Sequence, residues 1–333
     1  MGKEEINMDK QRLQKIQNEY LQRQINALGY EINITSLTGL IQKVSEQKFF
    51  EIAPADYVPI KVGNNPWSTN LVTYRSFNLA DDFSTGVINT GGNNARLAQG
   101  DAGVDSVTVK VLNWAKSIGW SIMDLQFAAK SGNWDLVTAK EKSRKKNWDL
   151  GIQKIAFLGL TGDSNFLGLL NQPGVTVDTT TLTGPISQLS VTNLSAFIGA
   201  MLNVYRINCN YSAWPTHFVI PESDFLALAT PSSPTYPIKS ILELMLETLR
   251  IMTNNPNFKV LPCRYGDKAV SGLSKQVYAL YNYDEESIRM DIPVDYTNTL
   301  ANSIDNFSFQ NVGYGQTSGI GLYRSLELYY FQY

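Results

Sequence analysis

Histidine occurs once and cysteine twice in 333 residues. The single histidine, His217, is the only candidate general base for a hydrolase triad, and no G-x-S-x-G elbow accompanies it. It reads as a structural residue beside Pro215. Metal sites built on a histidine pair cannot be assembled from one imidazole. Cys209 and Cys263 form no C-x-x-C, so neither a thiolate zinc site nor a redox dithiol is expected, and both read as buried free thiols. No run of about 18 apolar residues exists, so no segment is expected to span a membrane. The first residues (Lys3, Glu4, Glu5, Asp9, Lys10, Gln11) lack the apolar stretch of a signal peptide. No G-x-x-x-x-G-K-[ST] phosphate loop occurs, and no internal repeat of 20–50 residues.

Charge is also scarce. Charged residues make up 17% of the chain, below the usual ~25%, which suggests surface buried against partners. The formal net charge of −2 argues against a dedicated nucleic-acid-binding domain. Lysine is absent from Val62 to Val109. Two further patterns imitate sites. Gly313–Tyr314–Gly315 with Gly319–Ile320–Gly321 is spaced G-x-G-x-x-x-G and leads into no helix, so it reads as strand and turn glycine rather than a dinucleotide loop. Asp81–Asp82 and Asp284–Glu285–Glu286 lack the spacing of a calcium loop and read as solvated turn acids.

What is present is an interspersed α+β pattern without regular βαβ alternation. Asp9 to Leu28 predicts a polar helix with a narrow apolar stripe of Leu13, Ile16, Tyr20 and Ala27, wettable on its other faces through five glutamines. Ser36 to Phe49 predicts a second helix. Thr69–Phe77 and Val107–Leu112 read as strands flanking a stretch, 78–105, rich in Gly, Asn and Asp. A loop that long inside a compact domain is usually functional or disordered, and its composition fits an arm reaching another subunit. Helices are predicted at 121–130, 134–158 (with Asn133 as N-cap), 191–205, 221–229 and 238–253. Strands are predicted at 217–220, 258–261, 276–283, 288–292, 308–314 and from Ile320 onward.

The helix from Trp134 to Leu158 would be about 37 Å long. Trp134, Val137, Trp148, Ile152 and Ile155 share one face. Its middle carries Lys140, Lys142, Arg144, Lys145 and Lys146, which is either a solvated face or a surface that touches nucleic acid through phosphate charge. The run has no interleaved aromatics for stacking bases.

That helix exits at Phe157–Leu158 into Gly159–Leu160–Thr161–Gly162 and then Phe166–Leu167–Gly168–Leu169–Leu170–Asn171–Gln172–Pro173–Gly174–Val175. The combination resembles the major capsid proteins of tailed bacteriophages. Thr216–Leu228, a strand followed by proline and a helix, is similar to the same family. So is the closing glycine-rich stretch with Tyr314, Gly319, Gly321 and Tyr323. The resemblance implies the tailed-phage capsid fold. Its parts would be an N-terminal arm (1–58), an extended loop with flanking strands (59–112), a peripheral domain with a long spine helix (113–190), an axial domain (191–300) and return strands (301–333).

It further implies a subunit that assembles with itself into hexamers and pentamers of an icosahedral head around double-stranded DNA. Arg75, Asp81, Asp82, Arg96 and Asp101 would then be inter-subunit loop residues, and Lys140, Lys142, Arg144, Lys145 and Lys146 would face the genome. Portal, scaffold and decoration or cement proteins are the implied partners, with no membrane, no cofactor, no metal and no enzymatic role. The implied location is the virion, after synthesis in the host bacterial cytoplasm. The helix at 9–28 departs from the family pattern, and no long coiled-coil scaffolding region is present. An encapsulin-like compartment shell and a monomeric β-rich binding or surface protein are the alternatives. Some capsids of this fold join a loop lysine to a neighbour's asparagine, but the loop here has no lysine to offer.

Overall fold

A computed structural model describes residues 48–79, 101–130, 135–231 and 239–333, without the side chains of 75–79 and 101–102. The expected helix at 9–28, residues 36–47 of the second, the loop residues 80–100, Asn133 and Trp134 lie outside the described residues. The strands are β1 (Ile60–Val62), β2 (Asn70–Leu79), β3 (Asp101–Ser121), β4 (Thr176–Asp178), β5 (His217–Pro221), β6 (Lys259–Cys263), β7 (Val277–Tyr281), β8 (Ile288–Ile292), β9 (Val294–Asn298), β10 (Asn302–Ser303), β11 (Ser308–Ser318), β12 (Ile320–Leu322) and β13 (Leu328–Gln332). The helices are α1 (Ile122–Lys130), α2 (Leu136–Leu158), α3 (Val191–Asn208), α4 (Glu222–Leu228), α5 (Ile241–Thr253) and the short α6 (Lys268–Ser271).

They form three sheets, ordered β1-β8-β12, then β10-β11-β3-β2 with β9 beside β11, and β4-β13-β7-β5-β6. The chain divides into two compact units. The described residues of the first are 48–50, 116–130, 135–146 and 298–313. The second holds the rest of 51–115, 147–297 and 314–333.

The last sheet is the centre of the second unit, and its sequence shows why. Strands β5 (HFVIP) and β7 (VYALY) are buried at every position, which is what a sheet covered on both faces requires. Alternation still decides which side each residue serves. Val219, Ala279, Tyr281, Leu328 and Tyr330 pack with Trp148, Ile152, Ile155 and Phe157 of α2 and with Met290 of β8. Phe218, Ile220, Tyr278, Leu280, Tyr329 and Phe331 pack instead with Leu194, Phe197, Met201 and Tyr205 of α3 and with Met245 and Leu249 of α5. Each large apolar side chain so buried contributes about 1.5–3 kcal/mol.

The ends of the helices follow local chemistry. Ser240 and Glu243 close a full capping box on α5, and Asn254 ends it at φ +52°. Ser190 accepts the Asn193 N–H at the start of α3. At the start of α2, Asp135 accepts both the N–H (3.1 Å) and the hydroxyl (2.7 Å) of Thr138, a capping contact at the helix start; Asn133 lies outside the described residues.

The largest departure from expectation is β3, which runs 21 residues instead of the six read at 107–112. From Val107 to Val111 the inward positions are odd-numbered (Val107, Val109, Val111), whereas from Leu112 they are mostly even (Leu112, Trp114, Ile118, Trp120, with Lys116 exposed). The shift of one in an alternating pattern disguises a continuing strand as a break. Strands β1, β4 and β9 escaped sequence reading because they are short or half-exposed.

Candidate functional site

The family-like motif is a device that ends the long helix. The last four carbonyls of an α-helix have no partner within it. In α2 all four are taken. Ile155 O accepts from Gly159 N–H (3.0 Å), Ala156 O from Leu169 N–H (2.8 Å) and Phe157 O from Leu170 N–H (3.0 Å). Leu158 O accepts from Asn171 Nδ2 at 2.8 Å. The chain must therefore turn back on the helix end at close range. Gly159 sits at φ +73°, and a Cβ on Gly168 would lie 2.3 Å from the carbonyl carbon of Phe157. Asn171 Oδ1 also accepts the Gly168 N–H (2.7 Å). Gln172 Nε2 reaches Gly168 O (2.9 Å) and Ile320 O (3.2 Å), tying the turn to β12. Leu169 and Leu170 are buried in the core beneath. The motif thus locks one end of the spine helix to the central sheet.

Along the first half of α2 the basic run is not uniform. Lys142 and Lys145 are exposed, while Lys140 and Lys146 are half-buried. The Lys140 ammonium donates to Gly119 O at 2.8 Å. Arg144 is a correction: it is 2% exposed, so it cannot present charge to a genome. Its guanidinium donates to Lys116 O (3.3 Å), Asn311 O (3.0 Å), Asn311 Oδ1 (2.8 Å) and Asn298 Oδ1 (3.0 Å). Asn311 in turn donates to Glu141 at 2.7 Å. Arg144 thereby joins β3, β9 and β11 to the helix. The signal was in the sequence: Arg144 precedes Trp148 and Ile152 by one and two i→i+4 steps, on the buried face.

Of the loop residues, Arg75 and Asp101 fall within β2 and β3. Their backbone positions are set by an antiparallel register running from Asn70↔Lys110 to Leu79↔Asp101, with Arg75 opposite Asp105. The paired arms therefore extend into the stretch read as loop, from both sides. Asp81, Asp82 and Arg96 lie outside the described residues.

Most of the remaining chemistry-bearing groups are held by structural contacts. His217 Nδ1 lies 3.0 Å from Thr216 Oγ1, and the ring stacks on Tyr283 (4.7 Å) and Tyr281 (5.7 Å). Its Nε2 is buried with no hydrogen-bond partner among the described residues. Burial, with Lys259 nearby and against the opposing pull of Asp56, lowers its pKa to about 4. Burial raises Cys263 to about 12. Asp178 is pushed up by burial, but hydrogen bonds from the Thr180 and Thr181 N–H and hydroxyl groups outweigh this and bring it to about 2. Asp284 and Glu286 pair with Arg324, and Glu285 with Lys61. Gly315 serves close packing, since a Cβ there would meet the Trp148 ring at 2.6 Å. Among the described residues no group of three or more His, Cys, Asp or Glu side chains is gathered to hold a metal ion. No helix of the described residues is long and apolar enough to cross a membrane.

Comparison with known proteins agrees with this architecture. No curated protein matches the sequence. The family model described as Major capsid protein matches residues 87–333. Among solved structures, the chain is similar to the capsid of Myoviridae phage XM1 at 15% identity and a TM-score of 0.71, covering 91% of this chain and 99% of that one. Microbacterium phage Oxtober96 matches at 8% identity and a TM-score of 0.58, covering 89% and 94%. Gordonia phage Cozz matches at 9% and 0.55, covering 89% and 90%. The chain belongs to the major capsid protein family and has the fold of tailed-phage capsid subunits.

Proposed function

We propose that this capsid protein assembles with itself into hexamers and pentamers of an icosahedral head that encloses double-stranded DNA. The observation that carries the reading is the family match over residues 87–333. A fold that covers nearly all of the XM1 capsid subunit supports it. Both favour a genome-enclosing head over an encapsulin-like compartment or a monomeric surface protein.

In this reading residues 1–58 act as an arm, 59–112 as the extended loop, 113–190 and 191–300 as peripheral and axial domains, and 301–333 as return strands. The β2–β3 ribbon carries the loop, with Arg75, Asp81, Asp82, Arg96 and Asp101, to a neighbouring subunit. Many modest interfaces of this kind, closed by symmetry, sum to one stable container. Lys140, Lys142, Lys145 and Lys146 face the packaged DNA, while portal, scaffold and cement proteins complete the head after synthesis in the host cytoplasm. Negative-stain microscopy of the purified chain tests the reading: closed shells are expected. Removing Asp81 to Gly103 should leave a soluble folded subunit that no longer closes them. A wild-type chain that stays monomeric, or normal shells from the deletion, would overturn the corresponding claim.

A further inference from the structure

The turn that launches the β2–β3 ribbon is strained at an unexpected residue. Between β1 and β2, Gly63, Asn65 and Trp67 have left-handed backbone, at φ +82°, +52° and +65°. Glycine and asparagine accept that region readily, but a bulky aromatic there is an outlier. Trp67 is 65% exposed, with its ring 5.8 Å from that of Tyr314, so burial of the indole does not account for its backbone. Such strain persists where surrounding contacts over-determine the conformation.

Those contacts converge on Gln316 of β11. Its side chain is buried, with the residue 2% exposed, and both ends of its amide are used. Oε1 accepts the Trp67 N–H at 2.7 Å, and Nε2 donates to Asn113 Oδ1 at 2.6 Å. A backbone N–H can only donate, which fixes the orientation of the amide. Trp67 leads into β2, and Asn113 lies on β3 just past the Asn70↔Lys110 pair that begins the ribbon. One buried side chain therefore holds both legs. Neighbouring bonds reinforce it: Gly63 N–H donates to Ile292 O (2.9 Å) and Val111 N–H to Thr69 O (3.0 Å). Arg289 of β8, anchored on Asp291 (3.1 Å) and the Tyr323 hydroxyl (3.0 Å), reaches Thr73 Oγ1 at 3.4 Å. We propose that Gln316 is a positioning residue, which clamps Trp67 and Asn113 and so fixes the direction in which the ribbon leaves the subunit. Leverage makes the base decisive. From Asn70 to Leu79 the ribbon rises about 30 Å, so a tilt of about 10° at its base moves the far end by about 5 Å. Side-chain contacts end near about 4.5 Å, so slack of that size would break them. The consequence for assembly rests on the shell reading; the clamp itself does not.

Gln316→Met in the full-length chain tests the clamp, because an unbranched apolar side chain of similar length removes both hydrogen bonds and keeps the bulk. Backbone amide exchange over residues 63–74 and 104–113 should accelerate at least ten-fold, with exchange over β5 and β7 unchanged. Negative-stain microscopy should show closed shells of wild-type diameter reduced at least five-fold. Asn113→Ala, at an exposed position, breaks one leg without touching the interior and should move both readouts in the same direction. Trp67→Asn keeps the N–H and suits left-handed backbone, so it should match the wild type in both. Unchanged exchange in Gln316→Met and Asn113→Ala overturns the clamp, whatever the shells do. Faster exchange with normal shells overturns its role in aiming the ribbon. Loss of shells in Trp67→Asn at wild-type exchange would assign the role to the indole and overturn the proposal as well. If the unaltered chain forms no shells, the shell reading fails while the exchange rates still decide the clamp.

Discussion

His217 is buried as a neutral ring between two tyrosines, and that has a pH signature. Its pKa is about 4 in the folded chain and about 6.5 when unfolded. Between those values only the unfolded chain binds the proton, so stability is whole above about pH 6.5 and falls as the pH drops toward 4. Between pH 7 and pH 5 the unassembled subunit should lose about 2 kcal/mol through this residue. Urea unfolding at the two pH values should show that loss in the wild type and its absence in His217→Phe. Lys259, opposite His217 in the register, and Asp56 are the charges that act on the ring. Gly168 has a different constraint. A Cβ there meets only backbone, at Phe157 and Leu158, and backbone cannot rotate aside. Gly168→Ala should destabilise the subunit by at least about 2 kcal/mol. Gly151, in the middle of α2 with open space around it, should accept alanine with a gain of up to about 1 kcal/mol. Chemical denaturation compares the two, and equal effects would contradict the close-approach argument.

The spine helix shows how an element can be polar in composition and still be fastened along its length. Its second half is held by Trp148, Ile152, Ile155 and Phe157 in the core, and its end by the carbonyl clamp. Its first half depends on Arg144, which fills four acceptor sites on carbonyl and amide oxygens. Arg144→Ala strands those acceptors in a buried place and should cost about 2–4 kcal/mol. Arg144→Lys should recover little of it, because an ammonium cannot reproduce the planar fork. Lys145→Ala, one residue away and exposed, should fall within about 0.5 kcal/mol of the wild type. Thermal or urea unfolding of the three variants separates a fastening arginine from a solvated basic run.

At the scale of the whole shell, two expectations concern charge and covalency. Lys142 and Lys145 are the exposed members of the basic run. Changing both to Gln should leave empty-shell assembly intact and weaken DNA retention, with the difference shrinking as salt rises. Identical retention across a salt series would make the run an ordinary solvated face. The second expectation follows from lysine placement. None occurs between Val62 and Val109, Lys61 is paired with Glu285 at 2.6 Å, and Lys110 lies at the base of the ribbon opposite Asn70. No amine is available at the loop tip for an amide bond to a neighbour. Mature particles boiled in denaturant should run as one band near 37.2 kDa. A ladder that survives reductant would disprove this.

Much of the molecule was legible from local pattern. The helices read at 191–205 and 238–253 correspond to α3 and α5, and the strand read at 276–283 corresponds to β7. The Phe157–Val175 motif pointed to the family because its glycines and Asn171 obey one local geometry, the closing of a helix end. Tertiary structure alone decided what local pattern cannot carry. Which face of β5, β7 and β13 meets α2 and which meets α3 depends on partners elsewhere in the chain, since both faces are apolar. The continuation of β3 past Leu112 depends on pairing that tolerates a change of inward face. The fate of Arg144 turned on acceptors supplied by residues 116, 298 and 311: composition counts it as surface charge, and only the strands folded against the helix make it part of the interior.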